Sequence, residues 1–255
     1  MIKTDIIVEA RTTSNRLPGK IIKEILERPV IELMIERLKR ISNVNDIIIA
    51  TTTNKEDDII EKISKKNDVL CFRGSENDVL GRVLEAAKKF NTDVIVEITG
   101  DNPLIDKSIS ESVIKFFLDN LETYDFVSND VGCYNKNFKF NLSLGFNVKV
   151  FKTNLLNSVN KKTNHPVDRE HVVNYILQNL KNYKIYNLEP EESFRRPDLR
   201  FTLDYIEDYQ VIKAIYENLY TKNINFEAKD IIDFLDANPD IKKLNSGCSQ
   251  DKYKY

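Results

Sequence analysis

Short runs rich in isoleucine and valine alternate with longer amphipathic stretches through the first half of the chain. The short runs predict buried strands, which we expect over residues 5–10, 46–51, 69–73, 93–99 and 124–128. The amphipathic stretches predict helices, which we expect over residues 30–41, 55–66, 76–90 and 108–121. Because strands and helices alternate, the pattern predicts right-handed βαβ units and an α/β fold, with a mostly parallel sheet covered by helices on both faces.

The second half of the chain is less regular. Residues 130–143 are rich in asparagine, lysine and aromatic side chains, which predicts a long loop or an extended arm. Beyond it we expect strands over residues 144–151, 183–188 and 199–203, and helices over 152–161, 167–180, 206–220 and 227–238. Because no repeat or linker interrupts the chain, we expect a single domain over residues 1–245, with a protruding arm at about 130–165 and a flexible tail over 246–255.

The loop after the first predicted strand carries three cations, Arg11, Arg16 and Lys20, and hydroxyl groups such as that of Ser14. Arginine binds two oxygens at once and lysine supplies a point charge, so this loop suits a polyphosphate. Its residues form neither GxxxxGK[ST] nor GxGxxG, which points away from P-loop enzymes and dinucleotide oxidoreductases. The alternative is a solvated loop whose charges pair with nearby acids.

Two aspartates follow predicted strands. Ligands of parallel sheets bind outside the carboxyl ends of the strands, where the loops after residues 10, 51, 73 and 99 should meet. Asp101 lies in the last of these loops, and Asp204 follows the predicted strand 199–203. Carboxylates in such positions can hold Mg²⁺ together with phosphate oxygens and water. The alternatives are a turn residue for Asp101 and a helix N-cap for Asp204.

Three other positions have weaker claims to chemistry. Arg73 and Ser75 follow the third strand and could contact a base or a phosphate, although a turn with an N-cap explains them as well. His171 could act as a base, but a partly buried helix histidine is the simpler interpretation. Cys71 lies within a predicted strand and is expected in the core.

Composition narrows the class of protein. The 255 residues carry a net charge of -2, so no overall basic field suggests nucleic acid as a partner. No apolar run approaches the roughly 20 residues that span a bilayer, and the start lacks the apolar region of a signal peptide. The three cysteines show no CxxC spacing, which favours neither a disulfide framework nor a structural zinc site. We therefore expect a cytoplasmic protein without a membrane partner.

These residues together resemble the SpsF-type cytidylyltransferase family, within the group that includes the CMP-Kdo and CMP-sialate synthetases. The strongest match is ARTTSNRLPGK at residues 10–20, which is similar to the family pattern A-R-x-x-S-x-R-L-P-G-K. Further matches follow in order at residues 50–54, 72–82, 98–106, 168–171 and 203–208, so the resemblance spans nearly the whole chain. Departures include Glu9, where glutamine is usual, and Asn102, where cysteine is common.

The resemblance implies a GT-A-like Rossmannoid nucleotidyltransferase that uses CTP and Mg²⁺. Nucleotide contacts carried over by matched position are Ala10, Arg11, Ser14, Arg16, Lys20, Arg73, Ser75 and Asp101, with Arg73 and Ser75 near the cytosine. Catalytic roles carried over are those of Arg11, Lys20, Asp101 and Asp204, and the two aspartates would hold the metal. Related synthetases are commonly homodimers, and the arm is the candidate for the dimer contact.

The implied reaction is attack of an acceptor oxygen on the α-phosphorus of CTP, with release of pyrophosphate and formation of a CMP-activated sugar for surface polysaccharide or glycan synthesis. Residues that could shape the acceptor pocket are Asn147, Lys149, Arg169, His171 and Arg200. Their cations suggest an acidic sugar or a phosphate, although surface charge explains them nearly as well. Two alternatives stay open: a GT-A-type glycosyltransferase, against which the lack of a clear Asp-x-Asp motif argues, and a non-catalytic nucleotide sensor.

Overall fold

A computed structural model describes residues 2–134, 138 and 141–248. Its main sheet has seven strands: β1 (Thr4–Glu9), β2 (Asp46–Thr52), β3 (Leu70–Gly74), β4 (Val94–Thr99), β5 (Phe126–Ser128), β6 (Lys149–Lys152) and β7 (Ile185–Asn187). Their order across the sheet is β3-β2-β1-β4-β6-β5-β7. Only β6 runs antiparallel to its neighbours within this sheet. The predicted α/β fold with a mostly parallel sheet is thus confirmed.

Helices connect these strands and cover both faces of the sheet. In chain order they are α1 (Val30–Leu38), α2 (Asp58–Lys66), α3 (Val79–Lys89), α4 (Lys107–Asp119), α5 (Val131–Tyr134), α6 (Thr153–Asn160), α7 (Pro166–Glu170), α8 (Asn174–Gln178), α9 (Ile206–Leu219), α10 (Ala228–Ala237) and α11 (Pro239–Lys243). None of the helices in the described part of the chain is long and apolar enough to cross a membrane.

Side chains alternate between the two faces of each strand, and this alternation divides the core. Ile6 and Val8 of β1 pack in one buried cluster with residues of α1, α2 and α4, whereas Ile7 packs on the other face with residues of α3, α6 and α8. A third cluster joins α9 and α10 to the segment around Phe201. Residues of α3 and α7, on the second face, also border a large cavity.

The second half of the chain departs from the predicted boundaries. The predicted strand 144–151 is reduced to β6, which lies between β4 and β5, so this part of the predicted arm belongs to the sheet. Phe146 and Val148 are fully buried, which explains why the segment cannot protrude. Residues 135–137, 139 and 140 of the arm, like residues 249–255 of the predicted tail, lie outside the described residues.

Two predicted elements are wrong in detail. Residues 199–203 form an extended segment with a single bridge, between Leu144 and Arg200, instead of a strand of the sheet. The predicted helix 167–180 is split into α7 and α8. At the break, the Asn174 side chain donates to the buried Asp168 carboxylate at 2.5 Å, a local side-chain bond that competes with regular helix.

Candidate active site

A cavity of about 840 Å³ opens at the carboxyl ends of β1 and β4. Its walls come from the loop after β1, the loop after β4, the start of α3, the end of α7 and the segment 200–204. The size is within the range of small-molecule sites, about 300–1,000 Å³. The position is the one predicted from the parallel sheet, outside the ends of its central strands.

The loop after β1 is folded back on itself by a left-handed glycine. Gly19 has φ 66°, a conformation that most other residues avoid, and its N–H donates to the carbonyl of Thr12 at 2.9 Å. A turn of 3₁₀ helix, Lys20–Ile22, follows, and Ile21 is buried in the core beside Lys20. The anchored turn therefore fixes the start of the Lys20 side chain.

The loop after β4 approaches β1 so closely that only glycine fits at position 100. The Gly100 N–H donates to the Glu9 carbonyl at 2.9 Å, and a Cβ on Gly100 would lie 2.6 Å from that oxygen. This contact holds the next residue, Asp101, beside the first loop. The Thr99 hydroxyl donates to Asp101 at 2.6 Å and orients its carboxylate.

Lys20 joins the two predicted metal-binding aspartates. Its Nζ lies 3.3 Å from Asp101 Oδ2 and 3.0 Å from Asp204 Oδ1. Burial lowers the pKa of Lys20, but the two carboxylates raise it by more, so the group stays an ammonium ion. Residues separated by more than 180 positions in sequence thus form one charged cluster at the cavity.

Asp204 is surrounded by cations. Arg16 Nη2 contacts its Oδ1 at 2.7 Å, and Arg200 Nη2 contacts its Oδ2 at 2.7 Å. Burial raises the pKa of Asp204, but Lys20, Arg16 and Arg200 lower it by more, so the carboxylate stays ionised. Asp204 does not cap α9; Asp208 accepts the N–H groups of residues 204 and 205 at 3.0 Å instead.

The other predicted residues of the first loop also line the cavity. Ala10, Arg11 and Ser14 are all part of its wall. With acids in the described part of the chain, the Arg11 guanidinium makes long contacts, 3.7 Å to Glu76 and 3.9 Å to Glu170, and its side chain is about one third exposed. Such loose pairing leaves Arg11 able to turn toward an anionic ligand at little cost.

Arg73 and Ser75 lie apart from this group. Neither is part of the cavity wall. Arg73 points to α2, where its Nη1 contacts Asp58 at 2.6 Å and Glu61 at 2.9 Å. Ser75 is exposed, and its backbone carbonyl accepts a hydrogen bond from Arg82. Their assignment to the cytosine stays a prediction without support from the geometry.

The cations suggested for the acceptor pocket are balanced by acids. Lys149 lies 3.4 Å from Glu97, Arg200 also contacts Asp208 at 3.0 Å, and Arg169 contacts Asp78. His171 lines the cavity at the end of α7, and burial lowers the pKa of its imidazole, which is neutral at pH 7. The residues suggested for the acceptor pocket therefore supply no excess positive charge.

Two buried residues that sequence reasoning missed shape the cavity. Asp57 is fully buried and accepts the backbone N–H and the hydroxyl of Thr12, each at 2.7 Å, so it anchors the first loop. Arg82 of α3 lines the cavity and donates to the Ala50 carbonyl at 3.2 Å. For Arg82 the available signal was a charged residue within an otherwise apolar helical face, whereas Asp57 lies in the polar run NKEDD, which gives no such signal.

Asp101 and Asp204 suit a magnesium ion whose remaining ligands are phosphate oxygens and water. Among the described residues, no group of three or more His, Cys, Asp or Glu side chains could hold a metal alone. Asp101 and Asp204, however, offer hard oxygen donors around a point that already attracts an ammonium group. Mg²⁺ is usually bound by one or two carboxylates with phosphate oxygens and water, which matches this pair.

Known proteins resemble this chain over most of its length. The family model described as cytidylyltransferase matches residues 6–231. The chain is 38% identical over 248 residues to the uncharacterized protein MJ1063 of Methanocaldococcus jannaschii, covering 97% of this chain and 96% of that protein. It is 30% identical over 239 residues to the spore coat polysaccharide biosynthesis protein SpsF of Bacillus subtilis, covering 92% and 94%.

Two further similarities are informative. Over 114 residues the chain is 32% identical to the 3-deoxy-manno-octulosonate cytidylyltransferase of Trichlorobacter lovleyi, which covers 45% of this chain and 44% of that enzyme. The structure of a cytidylyltransferase from Leptospira borgpetersenii superposes with a TM-score of 0.87 at 34% identity, covering 94% of this chain and 97% of that one. The resemblance seen in the sequence is confirmed: this chain belongs to the cytidylyltransferase family.

Proposed function

We propose that this protein transfers CMP from CTP to a hydroxyl group of a sugar or sugar acid and releases pyrophosphate. The observation that carries the proposal is the cluster in which Lys20 and Arg16 meet Asp101 and Asp204 at the cavity. Cations that could bind phosphates and carboxylates that could bind a metal are in contact with one another there. Because CTP is a cytoplasmic nucleotide, we propose that the reaction takes place in the cytoplasm, in the synthesis of a glycan or surface polysaccharide.

The side chains of the first loop would bind the triphosphate. Arg11, Arg16 and Lys20 would neutralise the β- and γ-phosphates, and the Ser14 hydroxyl would donate to an oxygen. As the bond to the α-phosphorus breaks, negative charge grows on the departing pyrophosphate, where these cations stabilise it. Catalysis of this kind needs positioning and charge rather than a covalent nucleophile.

Asp101 and Asp204 would hold Mg²⁺, which polarises phosphate oxygens when it is bound. Lys20 now lies between the two carboxylates. A triphosphate would offer the ammonium group new partners, so Lys20 would turn toward the phosphates and leave the aspartates to the metal. Thr99 would keep the Asp101 carboxylate in place during that exchange.

The nucleoside would lie on the side of the cavity next to β1 and α3. Ala10, Val79 and Arg82 form the wall there. Arg82 is 3% exposed, and its guanidinium is held by backbone carbonyls, so it can present a fixed donor to a base. The preference for CTP itself rests on membership of the family.

The direct test is a screen for pyrophosphate release. CTP, UTP, ATP and GTP would each be combined with 2-keto sugar acids, sugar phosphates and phosphonates in the presence of Mg²⁺. We expect release with CTP, dependent on one acceptor class, and a product that contains CMP by mass spectrometry. Transfer of sugar from a nucleotide sugar without pyrophosphate release would favour the glycosyltransferase alternative and contradict the proposal.

We further propose that the active form is a homodimer, as is common among the related synthetases. Light scattering on the purified chain tests this, with a mass near twice 29.7 kDa expected. A monomeric mass at the concentration used for activity would contradict it.

A further inference from the structure

A buried ionic cluster supports Asp204 from the side of α9. Arg200 Nη2 donates to Asp204 Oδ2 at 2.7 Å, and Arg200 Nε donates to Asp208 Oδ1 at 3.0 Å. One guanidinium therefore joins two carboxylates. Asp208 is fully buried and the Arg200 side chain is nearly so, so each of these charges depends on the others for its hydrogen bonds.

Asp208 is the centre of this cluster. Its Oδ2 accepts the backbone N–H groups of Asp204 and Tyr205, each at 3.0 Å, while its Oδ1 accepts from Arg200. The same carboxylate thus fixes the backbone of Asp204 and the cation that holds the Asp204 side chain. The orientation of Asp204 therefore depends on that of Asp208.

Asn245, in the segment that follows α11, closes the cluster. It is 7% exposed, and its side-chain amide donates to Asp208 Oδ1 and to the Arg200 carbonyl, each at 3.0 Å. A primary amide has two N–H groups, so one side chain can serve both acceptors. Asn245 lies beyond residues 6–231, the stretch that matches the cytidylyltransferase family model. A residue outside that stretch therefore holds both the backbone of Arg200 and the carboxylate that its guanidinium contacts.

Ion pairs on the surface join the same C-terminal segment to the loop before Arg200. Lys242 of α11 contacts Asp198 at 2.6 Å. Arg196 contacts Asp198 at 2.9 Å and Asp236 of α10 at 2.7 Å. Partly exposed pairs contribute little each, whereas a buried carboxylate that loses a donor has no water to replace it. We therefore expect the buried amide, rather than the surface pairs, to align the cluster.

The two oxygens of Asp204 have different partners. Arg200 contacts Oδ2, whereas Lys20 and Arg16 contact Oδ1. If a triphosphate draws Lys20 and Arg16 to its own oxygens, Oδ1 is released while Oδ2 stays bound to Arg200. Asp204 then offers one oxygen in a fixed direction. Mg²⁺ tolerates little deviation in the placement of its ligands, so such fixing matters for its binding.

We propose that Asn245 and Asp208 are positioning residues that act through Arg200 to hold Asp204 in the orientation that binds the metal. The inference rests on the proposed function, because it assumes that Asp204 is a metal ligand. It assigns Arg200 to the metal side of the site instead of the acceptor pocket.

Calorimetric titration with CTP, without any acceptor, tests this inference in the absence of turnover. The Kd of CTP is measured in excess Mg²⁺ and again in EDTA, for the wild type, Asn245→Ala and Asn245→Leu. Leucine keeps nearly the same volume without a donor, so it covers the case in which the space left by alanine unfolds the protein. In Mg²⁺ both variants should bind CTP about 5- to 10-fold more weakly than the wild type, the value of one or two hydrogen bonds. In EDTA, where the cationic loop binds CTP without a metal, they should stay within about twofold.

Two controls separate the buried amide from its surroundings. Asn218→Ala is the matched change, because the Asn218 amide donates to a carbonyl of α9 at 2.8 Å on the exposed surface. Lys242→Met removes a surface contact of the C-terminal segment and keeps Asn245. Both should retain the wild-type Kd in each solution. The Kd in EDTA also verifies that the pocket of each variant is folded.

Each contrary result has its own meaning. Equal weakening in Mg²⁺ and in EDTA would make Asn245 a purely structural residue and overturn the inference, as would wild-type affinity of both Asn245 variants in Mg²⁺. In either case the wild type would still bind CTP more tightly in Mg²⁺, and the proposed function would stand. A wild type that binds CTP equally in both solutions would contradict the metal role of Asp204 in the proposed function and, with it, this inference.

Discussion

Lys20 contacts both Asp101 and Asp204, so at the scale of single residues it connects the loop after β1, the proposed phosphate loop, to the two proposed metal ligands. Replacing it with alanine should weaken CTP binding about 10- to 100-fold, the value of one or two hydrogen bonds from a charged donor. CMP, which lacks the outer phosphates, should lose much less. Calorimetry with CTP and with CMP measures the difference, and Lys23→Ala is the control, because Lys23 stacks over Tyr209 outside the cavity wall. Equal losses for the two nucleotides would contradict the phosphate role.

Asp101→Asn tests the metal role, because the amide keeps the shape and loses the charge. The Thr99 hydroxyl can still donate to the remaining oxygen, so the loop should keep its conformation and the unfolding midpoint should stay near that of the wild type. We expect turnover at saturating CTP and Mg²⁺ to fall at least about 100-fold. Asp240→Asn, at an exposed site on α11, is the matched control. Near-normal turnover in Asp101→Asn would show that Asp101 is not a metal ligand.

Asp57 acts at the scale of whole elements, because it ties the proposed phosphate loop to the turn between β2 and α2. Its carboxylate holds the N–H and hydroxyl of Thr12 at 2.7 Å and also accepts from Thr52. Asp57→Ala should cost about 1–3 kcal/mol in unfolding free energy, because it leaves a buried N–H unpaired. It should also weaken CTP binding, although no phosphate-binding cation is removed.

Urea denaturation and CTP titration of Asp57→Ala measure both effects. Asp58→Ala, one residue along the chain, removes a half-exposed carboxylate that pairs with Arg73, and it should change neither by much. Normal CTP affinity in a destabilised Asp57→Ala would mean that the loop does not depend on this anchor.

The elements that sequence predicted well are those whose pattern is set by neighbours along the chain. The first five strands follow from apolar runs, and the convergence of Lys20 with Asp101 follows from the rule for parallel sheet edges. The extent of β6 and the extended segment 199–203 depend on distant partners, so local periodicity cannot fix them. Arg73 shows the same limit, because the acids of α2 decide where its side chain points.

Glu97 was not predicted as a site residue, and its contact with Lys149, which was predicted for the acceptor pocket, depends on register between strands. Glu97 and Lys149 are single charges inside apolar runs, which is a visible signal of a buried polar role. Their contact with each other, and with Glu9, requires that β6 insert next to β4. Nothing in the spacing of these residues along the chain indicates that insertion.

At the scale of the whole molecule, buried and paired carboxylates give stability a defined dependence on pH. Arg196 hydrogen bonds lower the pKa of Asp198 far below its usual 3.8 against the opposing effect of burial, and the same arginine lowers the pKa of Asp236. The pKa of Asp204 is lowered as well. A carboxylate with a lowered pKa stabilises the fold above its unfolded pKa, and this contribution declines as the pH falls from the unfolded pKa to the lowered folded pKa.

Glu9 contributes with the opposite sign. Its folded pKa lies above the unfolded value of 4.5, so its stabilising contribution is complete below that pH and is lost as the pH rises through the folded pKa. The unfolding free energy should therefore decline toward low pH because of the aspartates, and decline again as the pH rises above 4.5 through the pKa of Glu9, which burial and the neighbouring Glu97 raise. Urea denaturation from pH 3 to pH 8 measures both declines.

The variant Arg196→Met tests how much of the loss of stability at low pH comes from the ion pairs of Arg196. Arg196 connects the loop before Arg200 to α10, and because its partners are about half exposed its pairs should contribute about 1 kcal/mol or less. The variant should be less stable than the wild type at pH 6, and the difference should shrink as the pH falls through the lowered pKa values of Asp198 and Asp236, where these carboxylates take up protons. Lys115→Met, which removes an exposed pair on α4, should follow the wild type throughout. A constant difference between Arg196→Met and the wild type at every pH would assign the effect of Arg196 to packing of its side chain, because only the ionic contribution disappears when the aspartates are protonated.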